Sequence, residues 1–233
     1  MGIDIKTHIV HYKKLVDRKQ HAINQMIKFG FSDYTFYEEY DKDELTEEMI
    51  SEYYVSGIQD PQTWASKVIL WGTPALYYHN PQCNPAEISV TIKFGKVMQK
   101  LSTLDDEMFL MFDDDIILCD NFDVKFKEYL AQTPDDWDAI YFGSGCGLKS
   151  KNIIEGKVAY RRDHPASRCL DSVLLRNKTV KDLAKTWFPF TMISDWEIAH
   201  QHYKHNHKVY FWEPSLVIQG SECGLFTSSV AVR

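Results

Sequence analysis

No apolar run in the 233-residue chain approaches the roughly 18–20 residues needed to span a bilayer, so no membrane-spanning segment is expected. No run of Lys or Arg exceeds two residues, and 33 acidic against 26 basic residues leave a net charge of −7. A duplex nucleic-acid partner needs a basic footprint, so none is expected, and the same count argues against an anionic membrane surface. Cysteine is sparse: Cys83, Cys119, Cys146, Cys169 and Cys223 are scattered, odd in number and never spaced C-x-x-C. That argues against a disulfide framework or a Cys-rich zinc site, and it fits a reducing compartment. Residues 1–6 carry no signal-peptide core, and Lys6 stands where a myristoylation signal has Ser or Thr, so a cytoplasmic protein is expected, in a host cell if the source is a virus. Aromatic residues, by contrast, are plentiful at 14%, enough to serve both a core and a flat ligand.

The order of elements predicts an α/β fold. Ile9-Val10-His11-Tyr12 reads as a buried strand, Leu15 to Ile27 as a helix ending near Gly30, and Tyr34-Thr35-Phe36-Tyr37 as a second strand. An opening β-α-β unit favours a mostly parallel central sheet with helices on both faces. The acidic stretch from Asp41 to Ser56 reads as a solvated helix face, and residues 57–86, with four prolines, as a long irregular connection. A helix is expected from Pro85 to Leu101, and Met108-Phe109-Leu110-Met111-Phe112 has the continuous apolar character of a central strand. Further strands are expected at Asp138–Phe142, Leu170–Leu175 and Val209–Trp212, and helices at Asn121–Leu130, Thr179–Trp187 and Asp195–His205. No linker divides the chain, so a single domain is expected.

The sharpest feature is Asp113-Asp114-Asp115 directly after the apolar strand. Three adjacent carboxylates repel one another, and partial burial raises their pKa values. A divalent cation such as Mg²⁺ or Mn²⁺ relieves both penalties, and ligands of open α/β sheets bind at the carboxyl ends of strands. Asp195-Trp196-Glu197 supplies a second carboxylate group suited to general-base work, although Ser194 or Asp195 also suits a helix N-cap. His200, His202, His205 and His207 lack a fourth ligand at zinc spacing and read as basic residues at an exposed helix end. Gly143 to Lys149 fails the Walker A spacing because Leu148 separates Gly147 from Lys149, which leaves a ligand-side loop or a plain turn.

Several segments share an order with one known family. They are the first strand with Asp17-Arg18, Ala86-Glu87-Ile88, Phe112-Asp113-Asp114-Asp115-Ile116-Ile117-Leu118, Trp137 to Gly143, Asp195-Trp196, and then Pro214 and Gln219. Over about residues 8–221 the chain resembles GT-A fold glycosyltransferases, most of all the lipopolysaccharide-biosynthesis type (glycosyltransferase family 25) and the compact glycosyltransferases of large DNA viruses. It departs from that family at Lys93-Phe94, where the family has Ser-His, and at Asp113, where the acid cluster opens with Glu.

The resemblance implies a single GT-A domain whose nucleotide-sugar half runs to about residue 118 and whose acceptor half follows from about 119. It implies a nucleotide-sugar donor, UDP-linked by the family's habit, and a glycan or glycoprotein acceptor. Asp115, with Asp113, is expected to hold Mn²⁺ or Mg²⁺ against the diphosphate. Ile9, His11 and Tyr12 are expected near base and ribose, Arg18 at the phosphates, and Tyr40 and Asp41 in the base pocket. Lys93, Asp113 and Asp114 join these donor contacts. Inversion at the sugar carbon is expected, with Asp195 as base and Glu197 in reserve, in a monomer or weak homo-oligomer. Two alternatives stay open: a haloacid-dehalogenase-like phosphohydrolase working through Asp113 and Asp115, and a non-catalytic GT-A domain that binds a nucleotide or glycan.

Overall fold

The computed structural model describes residues 2–70 and 80–229. The chain opens with β1 (Thr7–Val10), α1 (Val16–Lys28) and β2 (Tyr34–Tyr37), and β2 pairs parallel to β1 as the β-α-β pattern requires. Helices α2 (Glu47–Tyr53) and α3 (Pro61–Ile69) follow. The long helix α4 (Pro85–Leu101) starts at a capping box: Asn84 accepts the Glu87 N–H, and Glu87 accepts the Asn84 N–H. It leads through β3 (Met108–Asp113), β4 (Ile116–Leu118), α5 (Phe122–Gln132) and β5 (Ala139–Tyr141). The remainder holds β6 (Ala159–Arg161), β7 (Ser172–Arg176), α6 (Asn177–Thr186), α7 (Ser194–Lys204), β8 (Val209–Trp212) and β9 (Val217–Gln219).

Seven strands form one sheet in the order β2-β1-β3-β7-β5-β8-β6. Strands β1, β2, β3, β5 and β8 run one way, and β7 and β6 run against them, so the sheet is mostly parallel. Its two faces are covered by different helices. Ile92, Val97, Leu101, Val180, Leu183 and Ile198 of α4, α6 and α7 pack on Phe109, Met111, Val173 and Leu175. On the other face Met26 of α1 and Phe122 and Phe126 of α5 meet Ile9, Leu110, Phe112, Ile140 and Trp212. Central strands buried on both faces have no polar side, which is why Met108–Phe112 shows no alternation. A separate antiparallel ribbon, β4 with β9, follows the three aspartates.

Three local expectations need correction. Residues 57–86 are not wholly irregular: α3 occupies 61–69, with Asp60 accepting the Thr63 N–H at 3.0 Å and Pro61 in the first turn. Residues 71–79 lie outside the described part. The histidines in and just after α7 do not sit exposed at a helix end. His202 and His207 are buried and linked Nδ1 to Nδ1 at 3.0 Å, and His202 Nε2 meets the Tyr141 hydroxyl at 3.0 Å. Finally, the expected strand at 170–175 begins at Ser172, which leaves Leu170 and Asp171 ahead of it.

Candidate active site

From β1 the chain crosses to β2 on one side, while β3 lies on the other. The carboxyl ends of β1 and β3 therefore flank a topological switch point, where ligands of open α/β sheets bind. A cleft opens there. Its walls include Val10, His11 and Tyr12 after β1, Asp113, Asp114 and Asp115 after β3, Arg18 of α1 and Lys93 of α4. Asp195 at the start of α7 also lines it, near enough to Asp113 to act on its charge, and Gln219 and Ser221 reach it from the ribbon.

The three aspartates have different partners. Asp114 is buried and tied down on both oxygens: Arg18 Nη1 donates to Oδ1 at 2.9 Å, and His11 Nδ1 lies 2.7 Å from Oδ2. Asp115 is equally buried, yet only Oδ2 is engaged, by the Ser221 N–H at 3.2 Å with Arg18 Nη1 at 3.5 Å. Its Oδ1 is buried with no hydrogen-bond partner. Asp113 is half-buried, and burial first, then the neighbouring Asp115, Asp114, Asp195 and Asp171, push its carboxyl well above the usual range.

This donor set fits a hard divalent cation. An orphaned carboxylate oxygen and a second carboxylate that is costly to ionise alone are both relieved by positive charge. Among the described residues no group of three or more His, Cys, Asp or Glu is disposed to hold a metal by itself. Mg²⁺ and Mn²⁺ sites commonly take one or two carboxylates and complete their shell with substrate phosphates and water.

Asp195 is half-buried in the cleft wall, and burial pushes its carboxyl up to about 6, opposed by a backbone hydrogen bond from Leu170. A carboxylate of that basicity is still ionised at neutral pH and accepts a proton more readily than an exposed one. Lys93 Nζ is buried under the cleft and donates to the His11 carbonyl and to Asp41, and burial lowers its pKa.

Other expected site residues lie elsewhere. Ile9 is fully buried on the α1–α5 face of β1, and Val10, one residue on, faces the cleft in its place. Asp41 stands behind Lys93 as its ion-pair partner. Tyr40 packs its ring against Tyr53 and accepts the Ser89 hydroxyl at its carbonyl. Glu197 is wholly buried away from the cleft, where Lys67 Nζ donates to both its oxygens at 2.6 and 2.9 Å. Gln201 Nε2 donates to it as well, at 3.0 Å. Its position one helical turn into α7 explains the difference, since Asp195 sits at the helix mouth and Glu197 on its inner face.

No protein-family profile matches the chain, and no curated protein sequence does. Among solved structures it is similar to A197 from STIV, with 9% identity over 91% of this chain and 83% of the other, at a TM-score of 0.46. It is also similar to the inositol-1-phosphate CTP transferase from T. maritima, with 10% identity over 94% of this chain and 90% of that one, at a TM-score of 0.41.

One buried acid at the same sheet edge carries no sequence signal. Asp171 precedes β7, and its carbonyl accepts the Asp113 N–H at 3.0 Å. Its side chain is fully buried against Gly143, where a Cβ would collide with the carboxylate. Ser172 Oγ donates to Oδ1 at 3.0 Å, Oδ2 has no partner, and burial pushes the carboxyl up to about 7. The Gly143 position thus serves close packing, and Gly145–Gly147 forms a short 3₁₀ turn.

Proposed function

We propose that this protein is a metal-dependent glycosyltransferase that moves a sugar from a nucleotide-sugar donor, UDP-linked, to a glycan or glycoprotein acceptor. The observation that carries the reading is the presence of an unpartnered buried oxygen of Asp115 and a basic carboxylate, Asp195, in the lining of one cleft at the switch point. In this reading the donor diphosphate lies between Asp113–Asp115 and Arg18, and the base and ribose lie along His11 and Tyr12. The donor half then ends near residue 118, and the acceptor enters beside α7.

Asp113 and Asp115 would hold Mn²⁺ or Mg²⁺, which would supply Lewis-acid neutralisation of the charge that grows on the leaving diphosphate. Arg18 adds a fixed positive charge beside the same groups, preorganised by its bond to Asp114. Asp195 receives the proton of the acceptor hydroxyl as that oxygen bonds to the anomeric carbon. The bond from that carbon to the diphosphate oxygen breaks, its electron pair leaves with the nucleoside diphosphate, and configuration inverts. The raised basicity of Asp195 suits this role.

The test is a donor screen that follows release of nucleoside diphosphate with Mn²⁺ or Mg²⁺ present. Turnover with a UDP-sugar, lost on chelation and in D115A, supports the reading. Hydrolysis of simple phosphate monoesters instead, through Asp113, selects the phosphohydrolase. Nucleotide binding without turnover of any donor selects the binding module.

A further inference from the structure

We propose that the loop from Leu148 to Lys157 is a docking element for an anionic lipid surface. The chain as a whole carries a net charge of −7, yet residues 148–157 hold Lys149, Lys151 and Lys157 against one acid, Glu155. At the centre of this basic stretch Ile153 and Ile154 stand side by side in solvent, 55% and 57% exposed, with Leu148 at 41%. Two adjacent exposed aliphatic side chains flanked in the chain by lysines match an interface whose outer layer is negative and whose inner layer is hydrocarbon. A nucleic acid would use the lysines and leave the isoleucines in water.

The tip is built rather than loose. The Tyr160 hydroxyl accepts the Ile154 N–H at 2.8 Å and lies 3.1 Å from the carbonyls of both Ile154 and Lys157. A further bond from the Lys157 N–H to the Ile154 carbonyl closes the turn. Asn152 and Gly156, both in the left-handed region at φ 58° and 79°, bracket the tip. At the other end the Ser150 N–H donates to Glu213 at 2.8 Å, and Glu213 is itself held by the buried Arg168. These anchors turn Ile153 and Ile154 outward, where the core cannot take them. Counting runs of Lys or Arg misses this surface, because its cations are interleaved with other residues.

The loop also faces a useful direction. It leaves the carboxyl end of β5 and returns into β6, which runs antiparallel to β8, so both its ends lie at the sheet edge that carries Asp113. A surface bound there lies on the cleft side of the molecule. Resting on the transferase reading, this placement points to an acceptor carried on a lipid; the docking itself does not depend on that reading.

The test is vesicle co-flotation with phosphatidylcholine alone and with about 20% phosphatidylserine added. The wild-type protein is expected to float with the anionic vesicles only, and less so as salt is raised. The double variants I153S/I154S and K149E/K151E are each expected to weaken flotation about tenfold or more, since both the apolar and the charged contribution are needed. Their melting temperatures and UDP affinities are expected to stay at the wild-type values, which separates a failure here from a failure of the proposed reaction. Absence of wild-type flotation overturns the proposal. So does flotation of I153S/I154S equal to wild type, which would assign the lysines to an acidic macromolecule.

Discussion

Arg18 Nη1 donates to Asp114 Oδ1 at 2.9 Å, joining the first helix to the middle acid of the aspartate triplet inside the protein. The pair is buried at both ends, and Arg18 Nη2 also reaches the Thr227 carbonyl at 2.5 Å, so one side chain ties α1, the end of β3 and the C-terminal segment together. Asp114 is thereby occupied with structure, and its two neighbours are left to the cleft.

Removing Arg18 should therefore show in stability before it shows in chemistry. R18A leaves Asp114 with His11 alone and is expected to cost about 3 kcal/mol in denaturant unfolding, the usual order for breaking a buried pair. A loss of less than about 1 kcal/mol, the range of exposed pairs, would contradict this account of Arg18.

Asp195 is predicted to work as a base, so its ionised form is the active one. With its carboxyl at about 6, the transfer rate should rise as pH increases through that value and level off above it. D195N should lose about 10²- to 10⁴-fold in kcat, with UDP affinity unchanged. A rate profile that is flat from pH 5 to 8, or an active D195N, would remove Asp195 from the proton transfer.

Asp171 gives a pH dependence of stability that needs no assumption about function. Its folded carboxyl, at about 7, lies above the ordinary value near 3.8, so the folded protein binds the proton more tightly than the unfolded chain. Its contribution is most favourable at low pH and is lost as pH rises through that interval, because a bare charge must then be held in the core. D171N should remove this loss and gain on the order of a few kcal/mol over wild type at pH 8, and less at pH 5. Urea unfolding at the two pH values checks it, and a D171N protein destabilised equally at both would refute it.

Glu197 and Asp195 are two residues apart and should respond in opposite ways. E197Q strips the buried Lys67 of its charged partner and is expected to cost about 3 kcal/mol of stability. Transfer per folded molecule should persist. If E197Q keeps its stability and loses turnover instead, Glu197 rather than Asp195 is the base.

Much of this frame is legible in the sequence because it rests on local rules. The apolar run ending in three aspartates places β3 and its acidic edge, and Asn84-Pro85 with Glu87 marks the start of α4. Where the reading failed, the deciding contact is remote. Ile9 and Val10 are both apolar in a strand buried on both faces, so alternation does not say which of them meets the cleft. Lys67 and Glu197 are 130 residues apart, and only their meeting withdraws Glu197 from the site. Asp171 reads as part of an apolar strand, and its burial depends on β7 inserting between β3 and β5. The prolines of 57–86 masked α3, since Pro61 occupies a first-turn position where no N–H is needed.

In the proposed reading Asp113, Asp115 and a bound diphosphate would bind one divalent cation in the cleft. Calorimetric titration of UDP, once with Mn²⁺ and once with EDTA, tests it most directly. Binding that requires Mn²⁺ and falls about 100-fold or more in D115N is the predicted result, because in the proposed reading Asp115 would be a ligand of the cation. Equal UDP affinity with and without the metal, or in D115N, would contradict it.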